Sequence, residues 1–341
     1  MFTLLDFAIW SCLKRKDLVL HIPGLKSVRS TARWTGLWLQ EHALLLGYHR
    51  IAREDWDPHH LCVSPDNFVE QMHVLQSVAN PISLTDLVVL LAEGAPLRGR
   101  VVVTIDDGYE DTYSTATPIL RRFRVPATVF VITGSIGLEF WWDRLTGWCR
   151  EAKDFDRPLH ISLDGQELDW RPRGSDEKEK RQDFAQRAGD FLRALAPADR
   201  EEAMCILSAW FDSSVNSTTP VRGMTATEIS ALAADGLIEI GSHTKSHALL
   251  ADLSVEEQRQ EITCSKASLE EITGQPVMSF SYPHGSYSNK TPRIVRESGF
   301  ACACTSAEGA AVKASDPFVL PRVWVPDLPG ERFHHWLKRR L

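Results

Sequence analysis

Seven short, uninterrupted apolar runs constrain this chain more than any other feature of its sequence. They are ALLLGY at 43–48, RVVVTI at 100–105, ATVFVI at 127–132, LIEI at 237–240, VMSFS at 277–281, FACACT at 300–305 and FVLPRV at 318–323. RVVVTI and ATVFVI are rich in β-branched residues and do not alternate with polar ones, the pattern of strands buried on both faces. Helical segments separate the runs. Ser64-Pro65-Asp66 opens one, with Phe68, Met72 and Leu75 on a single face. A second runs from about Leu84 to Glu93 and stops at Gly94, a third ends near Phe123, and a fourth starts near Thr225. Ser254 and Glu257 form a capping box for a helix reaching Glu271, with Gly274 just past its end. Such alternation predicts parallel βα units. Their number suits a closed or nearly closed barrel, so the expected fold is α/β, a distorted parallel (β/α) barrel of seven strands.

The alternation lapses between about 138 and 225, where SDEKEKRQ (175–182) and helical patterning mark an insertion. The expected organisation is therefore an N-terminal extension, 1–42, and one domain, 43–341, carrying that insertion. Residues 2–13 are apolar but interrupted by Asp6 and followed, not preceded, by Lys14, Arg15 and Lys16. A secretory signal has the opposite layout. The segment is expected to form a short amphipathic helix, packed on the body or lying on a membrane surface as a peripheral contact.

With 43% apolar and 24% charged residues, the 341-residue chain can bury a substantial core. Lys and Arg total 38 against 45 Asp and Glu, a net charge of −7, which argues against a dedicated nucleic-acid binder. The seven cysteines show no CxxC pair and no zinc-type Cys/His spacing, so they read as reduced thiols. Cys302 and Cys304 would share one strand face.

Candidate chemistry gathers where strands end, the edge at which parallel α/β folds keep their sites. Asp106-Asp107-Gly108 closes RVVVTI. His243-Thr244-Lys245-Ser246-His247 follows LIEIGS, and two histidines four apart can face one point if the chain turns there. Two imidazoles and a carboxylate suit zinc and neighbouring first-row metals while leaving positions for water and substrate. Ser281-Tyr282-Pro283-His284-Gly285 follows a third strand, and its tight turn exposes backbone N–H groups able to stabilise an oxyanion.

TIDDG, HTKSH and SYPHG, in this order at these strand ends, resemble the motifs of the polysaccharide deacetylases, the NodB-homology carbohydrate esterases. The resemblance covers roughly 43–325, with 138–225 as an insertion. The Trp141-Trp142-Asp143 run is similar to a subgroup found among bacterial surface-polysaccharide proteins. The resemblance implies a hydrolase that removes N-acetyl groups from amino sugars of a polysaccharide, glycolipid or sugar precursor. It implies Asp106 as the general base, and Asp107, His243 and His247 as ligands of a divalent metal, commonly zinc and otherwise manganese, cobalt or nickel. The His284 backbone N–H would help hold the oxyanion, with Tyr282, Pro283 and Gly285 beside the substrate.

Two departures stand out. The family's third motif begins with an arginine that pairs with the base, and Ser281 stands there instead; Arg322 is the substitute candidate. The late histidine motif that supplies the general acid is also not evident. His49, closing the first strand, and His284 are the alternatives, ahead of His334 and His335 in the basic C-terminal tail. Trp141 and Trp142 are candidates to line a sugar groove. Two competing readings are an amide hydrolase of a small non-sugar substrate and a glycan-binding protein without turnover. The expected location is the cytoplasm, at the membrane face, with a lipid-linked or nucleotide-linked sugar as substrate.

Overall fold

The computed structural model describes residues 41–152, 155–174, 176–211 and 221–341. The expectations for the extension, including the helix at 2–13, lie outside the described residues. Seven strands form the barrel: β1 (His42–Tyr48), β2 (Arg100–Ile105), β3 (Ala127–Val131), β4 (Ile238–Ser242), β5 (Ser279–Ser281), β6 (Cys302–Glu308) and β7 (Leu320–Trp324). Each pairs in parallel with the next in chain order, and β7 pairs back onto β1 through Leu46–Val323 and Gly47–Trp324. The ring is closed, as the seven runs suggest.

Burial explains the runs. Every residue of β1 and β3, and all of β2 after Arg100, is buried. Ala43, Leu45, Val102, Phe130, Cys302, Cys304 and Leu320 pack as one apolar cluster, which Leu84 and Leu87 of the helix Leu84–Glu93 join. Gly47 is needed in this wall because a Cβ there would lie 2.6 Å from the Trp324 ring. Above the apolar cluster the lining turns polar, with Thr104, Ser281 and Arg322 hydrogen-bonded to one another or to shared partners.

The helix Pro65–Val78 buries Phe68, Met72 and Leu75. Capping boxes start the helices Ala226–Ala233 and Val255–Thr273, and left-handed Gly94 and Gly274 end their helices. Among the described residues no helix is long and apolar enough to cross a membrane, and six free cysteines appear, Cys302 and Cys304 both buried.

The segment between β3 and β4 builds a body of its own. It contains α1 (Trp141–Glu151), a hairpin of Leu159–Leu163 with Gln166–Trp170, α2 (Glu177–Ala194) and α3 (Pro197–Trp210). Its aromatic core includes Trp148, Phe155, Trp170, Phe184 and Phe211. Helical patterning alone does not predict the hairpin. Its signal is Asp164-Gly165, both at positive φ (48° and 71°), a two-residue turn flanked by alternating apolar positions.

Candidate active site

The end of β2 forces the first step of the site. Asp106 continues the strand, its N–H donating to the Tyr48 carbonyl at 2.9 Å. Asp107 then takes φ +71°, a left-handed conformation that Asp tolerates better than most residues, and Gly108 follows at φ +78°. This turn points two adjacent carboxylates in different directions, and each meets different chemistry.

Asp106 meets Arg322. Nη1 donates to Oδ1 at 2.6 Å and Nη2 to Oδ2 at 2.7 Å, a bidentate pair between two fully enclosed side chains. The guanidinium is itself fixed by the Thr305 carbonyl, Thr104 Oγ1 and Ser281 Oγ. Burial pushes the Asp106 carboxyl up, but the charge of Arg322, with lesser help from His243, holds it down at about 2. Ser281 Oγ also donates to Asp106 Oδ2 at 3.3 Å, so serine supports the pair from the place where the arginine was looked for.

Asp107 meets the two histidines. Its Oδ1 lies 3.5 Å from His243 Nε2 and 3.5 Å from His247 Nε2, and the three ligand atoms all lie within 4.8 Å of one another. His243 Nδ1 donates to the Ser281 carbonyl at 2.8 Å, which leaves the Nε2 lone pair facing Asp107. Burial drives both histidines towards the neutral form. Burial, then the neighbouring charges of Asp106 and Asp143, pushes Asp107 well up, and its Oδ1 is buried with no hydrogen-bond donor. An orphaned carboxylate oxygen facing two imidazole nitrogens is the environment a divalent cation completes, so the donor set fits a metal.

The loop carrying these histidines is strained and tied down. Thr244 (φ +63°) and His247 (φ +57°) are both left-handed, and Thr244 Oγ1 accepts from His247 N–H at 3.0 Å. Glu261, on the helix Val255–Thr273, accepts from the N–H groups of Lys245 and Ser246 at 2.9 and 2.8 Å and from Ser246 Oγ at 2.8 Å. Gly134 N–H donates to the Lys245 carbonyl at 2.7 Å, and a Cβ at Gly134 would sit 2.5 Å from that oxygen.

These groups open into a cleft of about 240 Å³. His49, Asp106, Asp107, His243, His247 and His284 line it together with Trp141 and Trp142. Trp142 lies 5.0 Å from the His247 ring and stacks on Phe140; its Nε1 donates to Tyr109 Oη at 2.5 Å, and Tyr109 donates to Asp143 at 2.8 Å. His49 stacks on Trp324 at 4.7 Å, and burial lowers it to about 4. His284, at φ +54°, has its ring 4.5 Å from that of His247, and burial lowers it to about 3.

Three of the residues expected beside the substrate stand elsewhere. Tyr282 is fully buried, with its hydroxyl donating to the Phe318 carbonyl at 2.9 Å; as Ser281 faces the Arg322–Asp106 pair, its neighbour faces away. Pro283 is buried, and Gly285 (φ +69°) packs against Ser306. None of the three is among the cleft-lining residues, nor are His334 and His335, which belong to the helix Gly330–Lys338. Sequence reasoning missed Trp324, His59, Leu61, Arg193 and Ser306, which do line it. Trp324 could have been found, since it lies two residues after Arg322 on one strand and so shares its face.

Fold and site together define a parallel (β/α) barrel with its chemistry at the C-terminal strand ends. The chain belongs to the polysaccharide deacetylase family, whose model matches residues 93–152 and 182–303. The unmatched stretch between these segments contains the hairpin. The Bacillus subtilis protein YxkH is 22% identical over 250 residues, covering 73% of this chain and 60% of its own length. A Staphylococcus aureus poly-beta-1,6-N-acetyl-D-glucosamine N-deacetylase is 29% identical over 113 residues, covering 29% of this chain and 39% of its own. The chain thus spans 60% and 39% of the length of these two relatives, less than two thirds of either. Among solved structures, the Streptococcus pyogenes deacetylase PplD, in complex with acetate, shares the fold with a TM-score of 0.58 at 18% identity, covering 89% of this chain and 99% of its own.

Proposed function

We propose that this chain is a divalent-metal-dependent N-deacetylase acting on an N-acetylated amino sugar of a glycan or sugar precursor. The observation that carries the reading is the pairing of two unlike carboxylates: Asp107 facing two neutral imidazoles at 3.5 Å, and Asp106 held by Arg322 at 2.6 and 2.7 Å. Asp107, His243 and His247 would hold the cation, which would supply Lewis acidity towards the acetamide carbonyl and towards water in the site. Asp106 stays ionised because Arg322 offsets its burial, and it takes the proton from the attacking water. The His284 N–H donates to the oxygen that becomes negative. His49, stacked on Trp324 across the cleft, is the candidate to carry a proton to the departing amine. Trp141 and Trp142 offer faces on which a sugar ring stacks.

The paired carboxylates favour an enzyme over a glycan binder, since a binder has no use for an arginine-held base beside a ligand carboxylate. Poly-beta-1,6-N-acetyl-D-glucosamine, the substrate named for the Staphylococcus relatives, belongs in the first substrate panel beside short N-acetylated sugars and simple amides. The test is acetate release by metal-loaded wild type, Asp106→Asn and His243→Ala, with bound metal quantified in each. Wild type should release acetate, Asp106→Asn should keep metal but lose turnover, and His243→Ala should lose both. A wild type that binds no divalent metal at any loading would sink the reading. Release from simple amides alone would favour the non-sugar alternative.

A further inference from the structure

The wall of the cleft built by the segment between β3 and β4 gives Trp141 and Trp142 to the sugar site proposed above, and it also carries side-chain donors that meet no acceptor among the described residues. Asp106 is neutralised by Arg322, and Asp107 faces the metal position; the other ionisable residues lining the cleft are histidines and Arg193. Arg193, in the last turn of α2, is tied through Nη1 to Asp190 Oδ1 at 2.6 Å. That contact orients the guanidinium, and its Nε is buried with no hydrogen-bond partner. The Nε edge is one of those through which arginine grips an oxyanion with two parallel hydrogen bonds.

Two neighbouring nitrogens are in the same position. His59, brought to the cleft by the loop that the Arg50–Ile51 and Cys62–Val63 strand pair closes, has a buried Nε2 without a partner, and Arg193 is the largest charge acting on it. Trp141 lines the same cleft, and its Nε1 is also buried and unpartnered. Arg and Trp nitrogens can only donate, so the missing partner is an acceptor. Behind them Arg200, buried on α3 with its guanidinium 5.4 Å from the Trp141 ring, donates to the carbonyls of Leu192, Leu195 and Ser246 and, among the described residues, to no carboxylate. Two acids face this wall: Asp190, half exposed, pairs with Arg193 and also accepts from Gln186, and Asp57 accepts from the N–H groups of Leu61 and Cys62.

We propose that Arg193, with His59 and the Trp141 N–H, forms a subsite for an oxyanion carried by the substrate next to its N-acetylated sugar: the phosphate of a sugar phosphate or diphosphate, or the carboxylate of a uronic acid. The inference rests on the deacetylase reading and names the substrate class. Buried donors without acceptors are costly and rare, and a ligand that supplies the acceptor removes the cost.

The test compares N-acetylglucosamine, N-acetylglucosamine 1-phosphate and a disaccharide of N-acetylglucosamine with glucuronic acid by titration calorimetry, on wild type and Arg193→Gln, with and without zinc. One of the charged ligands should bind wild type about tenfold more tightly than the neutral sugar. The preference should weaken as salt rises and vanish in Arg193→Gln. Which charged ligand wins identifies the source of the oxyanion. On substrates that release acetate, Arg193→Gln should raise KM for the charged one and leave kcat, and the neutral substrate, unchanged. Equal binding of charged and neutral sugars, or a preference that survives Arg193→Gln because the metal alone holds the anion, overturns the subsite. Absence of acetate release from every substrate would instead count against the deacetylase reading, and the calorimetric comparison still decides the subsite.

Discussion

Arg322→Met is expected to be among the most damaging single substitutions in this protein. Arg322 is 0% exposed and Asp106 is 3% exposed, and the two bonds between them are 2.6 and 2.7 Å long. Removing the cation strands a carboxylate that burial alone pushes upward in pKa, and breaking such a pair costs about 3–5 kcal/mol. Asp106→Asn should be costly as well, since it leaves a buried guanidinium with only the Thr305, Thr104 and Ser281 oxygens. The double variant removes both charges, so its loss should fall short of the sum by about 2 kcal/mol or more. Urea unfolding of the four proteins, followed by tryptophan fluorescence at pH 7, measures this coupling. The same Arg322→Met protein should bind metal nearly as well as wild type yet release little acetate, because its base is now protonated. Costs that add to within about 0.5 kcal/mol would refute the claim that Arg322 keeps Asp106 ionised.

Two further outcomes can be checked apart from catalysis. Glu261→Gln removes an acceptor from a loop whose backbone is left-handed at Thr244 and His247, and should weaken metal affinity about 10- to 100-fold, with activity recovering at saturating metal; unchanged affinity in a metal titration would show that the loop holds itself. Glu228 accepts from both Arg222 nitrogens at 2.8 Å and from Thr225 N–H, and the Arg222 hydrogen bonds do most to lower it from 4.5 to about 2. A depressed carboxyl stabilises the fold above its unfolded pKa and loses that contribution as pH falls through the folded one. Glu228→Gln should therefore cost about 2 kcal/mol at pH 7, and the difference from wild type should shrink between about pH 4.5 and 2 in denaturation curves.

Much of the barrel is legible in the sequence because strands buried on both faces have no polar alternation, and β1, β2 and β3 show it most cleanly. The cluster of Asp107, His243 and His247 and the Asp106–Asp107 turn are legible for a related reason: local motifs of a few residues sit at strand ends whose position follows from the fold. Arg322 is reached by asking what replaces a missing partner. The rest depends on contacts between distant elements. Glu261 lies among other charged residues of a long helix, and Arg193 ends a helix outside the motifs; nothing local marks either as facing the site. Tyr282 is an aromatic that sequence places beside sugar, but strand alternation turns it outward once Ser281 faces the arginine.

The ring closes where the first strand meets the last, and the base shares that dependence. The bond from Arg322 to Asp106 joins residues 216 positions apart. During synthesis the two aspartates and both histidines of the proposed metal site are made before β7, yet the arginine that pairs with Asp106 comes with it. Contacts of such range are slow to form, since chain entropy is lost before they contribute. A nascent chain halted before residue 320 would carry the full ligand set and an unpaired carboxylate in an open sheet. Competence to hold a metal and competence to use it would then arise at different moments of the chain's synthesis, the second only when the last strand docks.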